Sequence, residues 1–158
     1  MIANIRVLEK DGNIHTLCQL DLMKFNIDQI QQRMEERGIK GENFKVCGFS
    51  DWETGPYISL EEAYLLKGKI NNCYEGDDYL VRHMFQQRKT FNFVMAHSFK
   101  FVTKDEVELM KQLLKGADMD EVVEFFFKAN NWVTAIQSYI RAGQVLSTPK
   151  GFYLDVGY

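Results

Sequence analysis

The chain has 158 residues, 46% of them hydrophobic and 13% aromatic, which is enough for a real core and excludes a disordered chain. Its net charge of −3 gives no global attraction to nucleic acid or to acidic membranes. No apolar run approaches the about 20 residues that span a bilayer, and Arg6, Glu9, Lys10 and Asp11 interrupt any signal-peptide core, so a cytoplasmic protein with no membrane partner is expected.

Ile2 to Leu8 reads as a strand and Ile14 to Leu20 as its return. Between them Lys10-Asp11-Gly12-Asn13 carries hairpin-turn chemistry, because Asp-Gly tolerates the positive φ of tight turns. Asn26 can cap a helix whose inward stripe is Ile27, Ile30 and Met34 and which Arg37-Gly38 ends. The other face of that helix (Gln31, Gln32, Glu35, Glu36) reads as solvated. Residues 44 to 50 alternate like a strand, and Asp51 to Pro56 reads as a loop. Ser59-Leu60-Glu61-Glu62 is a capping box opening a helix to about Asn71, with Ala63, Leu66 and Ile70 inward.

Two stretches of this region, Val46-Cys47-Gly48-Phe49-Ser50-Asp51-Trp52-Glu53 and Ile58-Ser59-Leu60-Glu61-Glu62, together with the order of elements before them, resemble the ArdA antirestriction proteins of plasmids, transposons and phages. The resemblance covers about the first 70 residues. It implies a non-enzymatic protein that occupies the DNA groove of type I restriction enzymes with surface carboxylates in place of phosphates. The chain departs from that pattern in charge: residues 1 to 60 hold nine acids and seven bases, which is not a phosphate ladder. Asp51, Trp52 and Glu53 have two readings. They form a loop presenting a Trp anchor and two carboxylates to a partner, or Trp52 packs over the sheet edge while the acids cap the loop; the packing reading is favoured.

Asn71-Asn72 and Gly76-Asp77-Asp78 read as turns. Tyr79 to Arg88 reads as a helix with Leu80, Val81 and Met84 inward, and Arg82, His83, Arg88 and Lys89 form a local basic patch. Phe91, Phe93, Met95, Phe99 and Phe101 alternate loosely, as a strand pair or as aromatic padding. Bases beside aromatics suit a nucleic-acid surface, but an aromatic core with a charged helix face accounts for them as well and is the favoured reading.

Thr103-Lys104-Asp105-Glu106 is a further capping box, followed by a stripe of Val107, Met110, Leu113 and Leu114 and a stop at Gly116. Asp118 and Glu121 mark a second start, with Met119, Val122, Val123 and Phe126 as the expected buried stripe. Asn130-Asn131 reads as a break; Trp132, Val133, Ile136, Tyr139 and Ile140 then stripe a third helix, which Gly143 ends. Val145-Leu146, the Pro149-Lys150-Gly151 turn and Phe152 to Val156 read as a two-stranded ribbon. Helix, helix, helix and hairpin, with the stretch from Tyr139 to Leu154, resemble the winged-helix proteins of bacteria and their phages.

If that unit reads DNA, the candidates are Lys128, Asn130, Asn131, Thr134, Gln137, Ser138 and Arg141, with Lys150 at the wing tip. Charge favours a protein-contacting or structural unit, since residues 116 to 158 carry three Lys or Arg against five Asp or Glu, few cations for a phosphate-binding surface.

Cys18, Cys47 and Cys73 are odd in number and widely spaced, and His15, His83 and His97 are scattered, so neither a disulfide framework nor a metal site is expected. Phosphate-loop, dinucleotide and nucleophile-elbow motifs do not occur. Adjacent carboxylates such as Glu35-Glu36 and Glu61-Glu62 point apart on a helix and make poor acid–base pairs.

The expected fold class is therefore α+β, with an ArdA-like domain over residues 1–102 and a winged-helix-like domain over 103–158. The leading expectation is a non-enzymatic anti-defence protein of phage or mobile-element type, antirestriction or anti-CRISPR. Its partner would be a host restriction or CRISPR nuclease, with no cofactor and with a homodimer as one possible state. The runner-up is a winged-helix regulator on duplex DNA, and an enzyme of unknown type stands third.

Overall fold

The computed structural model describes residues 1–9, 11–50 and 52–157. It is an α+β protein with two antiparallel sheets, and the chain divides into two compact units, Met1–Met95 and Ala96–Tyr158.

In the N-terminal unit, β1 (Ile2–Leu8) and β2 (Ile14–Asp21) form the expected hairpin. The Glu9 amide donates to the Asn13 carbonyl at 2.8 Å and the Asn13 amide to Asp11 Oδ1 at 3.0 Å; Lys10 lies outside the described residues. β1 turns Ala3, Ile5 and Val7 into the core. The helix α1 (Ile27–Glu36) opens with the Asn26 side chain accepting from the Gln29 amide, while Gln29 returns a bond to the cap amide. A 3-10 turn (Gly41–Asn43) leads into β3 (Phe44–Phe49), the most buried strand, and the sheet order is β2-β1-β3-β4.

β4 (Trp52–Ile58) is a correction to the expected loop. Trp52, Thr54 and Ile58 point inward, and Gly55-Pro56 disguises the alternation. Pro56 is tolerated because β4 is an edge strand and needs no second ladder partner. The register shifts between Val46 and Gly48, where the two strands approach so closely that a Cβ on Gly48 would lie 2.3 Å from the Trp52 carbonyl oxygen.

The Ser59 box opens α2 (Leu60–Tyr74), as expected, but that helix runs through Asn71-Asn72 and ends at Glu75 in the left-handed region. α2 packs on β3, with Ala63, Leu66 and Ile70 buried. α3 (Tyr79–Gln86) packs beside β4. His83 is buried there, so the expected basic patch is reduced to Arg82, Arg88 and Lys89. Phe91–Ala96 is a short helix, α4, where a strand was one of the two expectations. Its first turn is held by the Phe93 amide donating to the Thr90 hydroxyl at 3.2 Å.

The C-terminal unit opens with β5 (Phe99–Thr103), which pairs with the last strand. The unit therefore starts ahead of the 102/103 boundary expected from capping chemistry alone. The helices α5 (Glu106–Leu113), α6 (Met119–Ala129) and α7 (Trp132–Arg141) precede a hairpin of β6 (Val145–Thr148) and β7 (Gly151–Asp155), and the sheet order is β5-β7-β6. The cap of α5 is Asp105, accepting from the Glu108 amide at 2.9 Å, whereas Thr103 accepts from the Asp105 amide. Leu109, Met110, Ala135, Ile136 and Val145 form the core, with Leu113, Phe125, Phe126, Tyr139 and Ile140 half-buried against it. Val107, Met119, Val123, Trp132 and Val133, assigned to inward stripes, are exposed.

The two ends of this unit are tied at one carboxylate. Asp155 takes the His97 ring nitrogen Nδ1 at 2.7 Å and the Ser98 amide at 3.0 Å, and the Val156 amide donates to the Ser98 carbonyl. Partial burial pushes the Asp155 carboxyl up, but its bonds to His97, Ser98 and Gly157 outweigh this and hold it below the usual value. A depressed folded-state pKa stabilises the unit above the ordinary Asp range, and the contribution is lost as pH falls through that range to the lowered value. Asp155→Asn is expected to cost about 2 kcal/mol at neutral pH and to shrink the acid sensitivity of this unit. Urea midpoints of both proteins across the acid range check it.

Candidate functional site

A groove of about 430 Å³ lies in the N-terminal unit between α1, the 3-10 turn and the start of α2. Its floor is apolar: Met34, Phe44 and Leu60 are all buried core side chains. Its rim carries Glu35 from α1, Glu42 from the turn, Glu61 from α2 and Lys45 from β3, three carboxylates to one cation. Gln31 Nε2 donates to Glu61 Oε1 at 2.9 Å across the two helices. The backbone N–H of Glu61 and the Ser59 hydroxyl hold that carboxyl below its usual range against a small opposing desolvation, with Gln31 and Lys45 adding to the effect. Glu61 also sits in the first turn of α2, where the helix dipole favours an anion. An apolar floor under an acidic rim suits a Lys or Arg side chain, whose stem is apolar and whose head is cationic.

None of these rim residues was a site candidate from sequence. From sequence Glu35 belongs to a solvated helix face and Glu61 to a capping box, each beside another acid, and nothing in their spacing places them on one groove. The weighed segment lies elsewhere. Trp52 is buried, packs on Phe49 (ring centroids 5.0 Å apart) and Phe85 (5.8 Å), and donates Nε1–H to Asp78 Oδ2 at 3.0 Å. It is a core side chain and does not present an anchor. Glu53 is exposed, and Asp51 lies outside the described residues.

Most of the proposed DNA-reading residues are engaged within their own helices. Lys128 pairs with Glu124 at 2.6 Å. Asn130 ends α6 with φ 67°, and Asn131 caps α7, accepting from the Thr134 amide at 2.9 Å and from the Thr134 hydroxyl at 3.1 Å. The Ser138 hydroxyl donates to the Ala135 carbonyl at 2.6 Å. Lys150 is exposed in the β6–β7 turn. Gln137 and Arg141, one turn apart on α7, are both exposed and are brought together on one outward face.

A different surface stands out on this unit. Met119, Val123 and Phe127, spaced by four along α6, are 74%, 60% and 86% exposed. Trp132 extends the patch, stacking edge-on against Phe126 at 4.5 Å. Helical periodicity locates such residues but does not reveal whether anything packs on them.

Among the described residues no group of three or more His, Cys, Asp or Glu side chains is placed to hold a metal ion. Nor is any helix among the described residues long and apolar enough to cross a membrane. The chain matches no protein-family model, no curated protein and no solved structure.

Proposed function

We propose that this chain is a non-catalytic anti-defence protein that inhibits a host nucleic-acid enzyme by binding its basic surface. The observation that carries this reading is the groove of the N-terminal unit, with Glu35, Glu42 and Glu61 around an apolar floor. Enzymes that handle nucleic acid line their channels with Lys and Arg to neutralise phosphates, and those side chains are what the groove fits. The groove lies in the segment that resembles the ArdA proteins, and three clustered carboxylates serve such contact without the dense ladder of a full DNA mimic.

Capture of type I restriction subunits or Cas effectors on the immobilised protein, with protection of incoming phage DNA, is the expected result. Glu35→Lys, Glu42→Lys and Glu61→Lys combined should weaken capture at least about tenfold and leave the unfolding midpoint of the other unit unchanged. Capture of neither enzyme class together with no protection refutes the proposal.

A second reading, a winged-helix regulator on duplex DNA, is favoured by the outward pair Gln137 and Arg141. A gel shift that weakens steeply with salt and is lost in Gln137→Ala/Arg141→Ala would establish it.

A further inference from the structure

We infer that the exposed face of α6 pairs antiparallel with the same face of a second copy of this chain. Three large apolar side chains in one row, with Trp132 beside them, form a contiguous apolar patch of the kind that marks a contact surface on a protein.

The charges around the row select the occupant. At the start of α6 stand Asp118, Asp120 and Glu121, and near its end stands Lys128. A two-fold contact must be self-complementary, each half of the patch matching the other. An antiparallel pairing centred on Val123 meets that condition. It sets Met119 against Phe127 of the second copy, a favourable sulfur–aromatic contact, and Val123 against its own equivalent. It also brings Lys128 alongside Asp120 of the second copy, because both lie on the same flank of the row. Glu124 lies near the two-fold axis, where its ion pair with Lys128 offsets the approach of the equivalent Glu. A parallel pairing would instead bring the acidic first turns level with one another and leave Lys128 without an acidic partner on the second copy. The helix dipoles also oppose parallel alignment and favour the antiparallel one.

The patch is small beside the roughly 800 Å² per partner of a standard interface, so a dissociation constant of about 10 μM is expected. Neither candidate binding face, the acidic groove nor the Gln137–Arg141 face, includes a residue of this row, so the dimer is tested independently of both.

Sedimentation velocity of the full chain over a concentration series should show a monomer–dimer equilibrium. Val123→Glu should weaken it at least tenfold with an unchanged unfolding midpoint, since the site is already exposed. For orientation, a mixture of Met119→Cys and Phe127→Cys proteins should cross-link under mild oxidation beyond the level of the unsubstituted chain. Met119→Cys alone should not. A wild-type monomer throughout the series overturns the inference, as does a dimer that Val123→Glu leaves intact. Self-cross-linking of Met119→Cys at the level of the mixture overturns the antiparallel arrangement. Loss of nuclease capture in Val123→Glu from a monomeric wild type would give the face to a foreign protein and overturn the inference as well.

Discussion

Trp52→Ala is expected to destabilise the N-terminal unit by about 4 kcal/mol, near the upper end for truncating a buried aromatic. The ring fills the space between Phe49 on β3 and Phe85 on α3, so its removal opens a cavity where strand and helix meet. It also leaves the partly buried Asp78 carboxylate without its indole donor. Trp52→Phe separates the two effects. It keeps most of the packing and loses the Nε1–H bond, so a cost of about 1–2 kcal/mol is expected. Urea unfolding of both variants followed by circular dichroism gives the values, because the tryptophan they keep, Trp132, belongs to the C-terminal unit. If Trp52 were a presented anchor, Trp52→Ala would instead leave the midpoint in place and abolish only partner capture.

Gly151→Ala is the counterpart in the C-terminal unit, with an expected cost of about 3–4 kcal/mol from strain and overpacking together. Gly151 has φ 132°, a conformation that side chains rarely adopt. A Cβ there would lie 2.7 Å from the Thr103 carbonyl oxygen and 2.9 Å from the Phe101 ring. The two neighbours belong to β5, so the substitution pushes apart β5 and β7 as well as distorting the β6–β7 turn. Near-ultraviolet circular dichroism, reporting the Phe101–Tyr153 contact, should change together with a lowered unfolding midpoint. An unaltered midpoint would mean that the turn relaxes around the methyl group.

The parts of this fold legible in the sequence are those decided within a few residues. The caps Asn26, Ser59 and Asp118 accept from the third amide of their helices because cap chemistry is local. The β1–β2 hairpin follows from Asp-Gly for the same reason. Short aromatic runs were ambiguous, since six residues fit one turn and a half of helix or a strand equally well; Phe91–Ala96 resolved as helix and Phe99–Thr103 as strand. The α6 stripe failed for another reason. That helix has apolar residues on two faces, Val122, Phe125 and Phe126 half-buried and Met119, Val123 and Phe127 outward, and periodicity alone cannot say which face is covered. The acidic groove was out of reach because it is assembled by packing: Gln31 and Glu61 are 30 positions apart and meet only when α1 lies against α2.

The tie between β5 and β7 has a kinetic consequence. The partners His97 and Asp155 are 58 positions apart, whereas β1 and β2 are joined by a tight turn. Closing the longer loop costs about 2 kcal/mol more in chain entropy than closing a hairpin. A chain emerging N-terminus first therefore has every strand of the four-stranded sheet in hand before the central strand of the three-stranded one, β7, exists. During that interval α5, α6 and α7 have no finished sheet to pack on, and the outward row of α6 adds to the apolar surface then open to solvent. The C-terminal unit is thus expected to be the slower to form, and the interval before β7 is the one in which open apolar surface most favours aggregation.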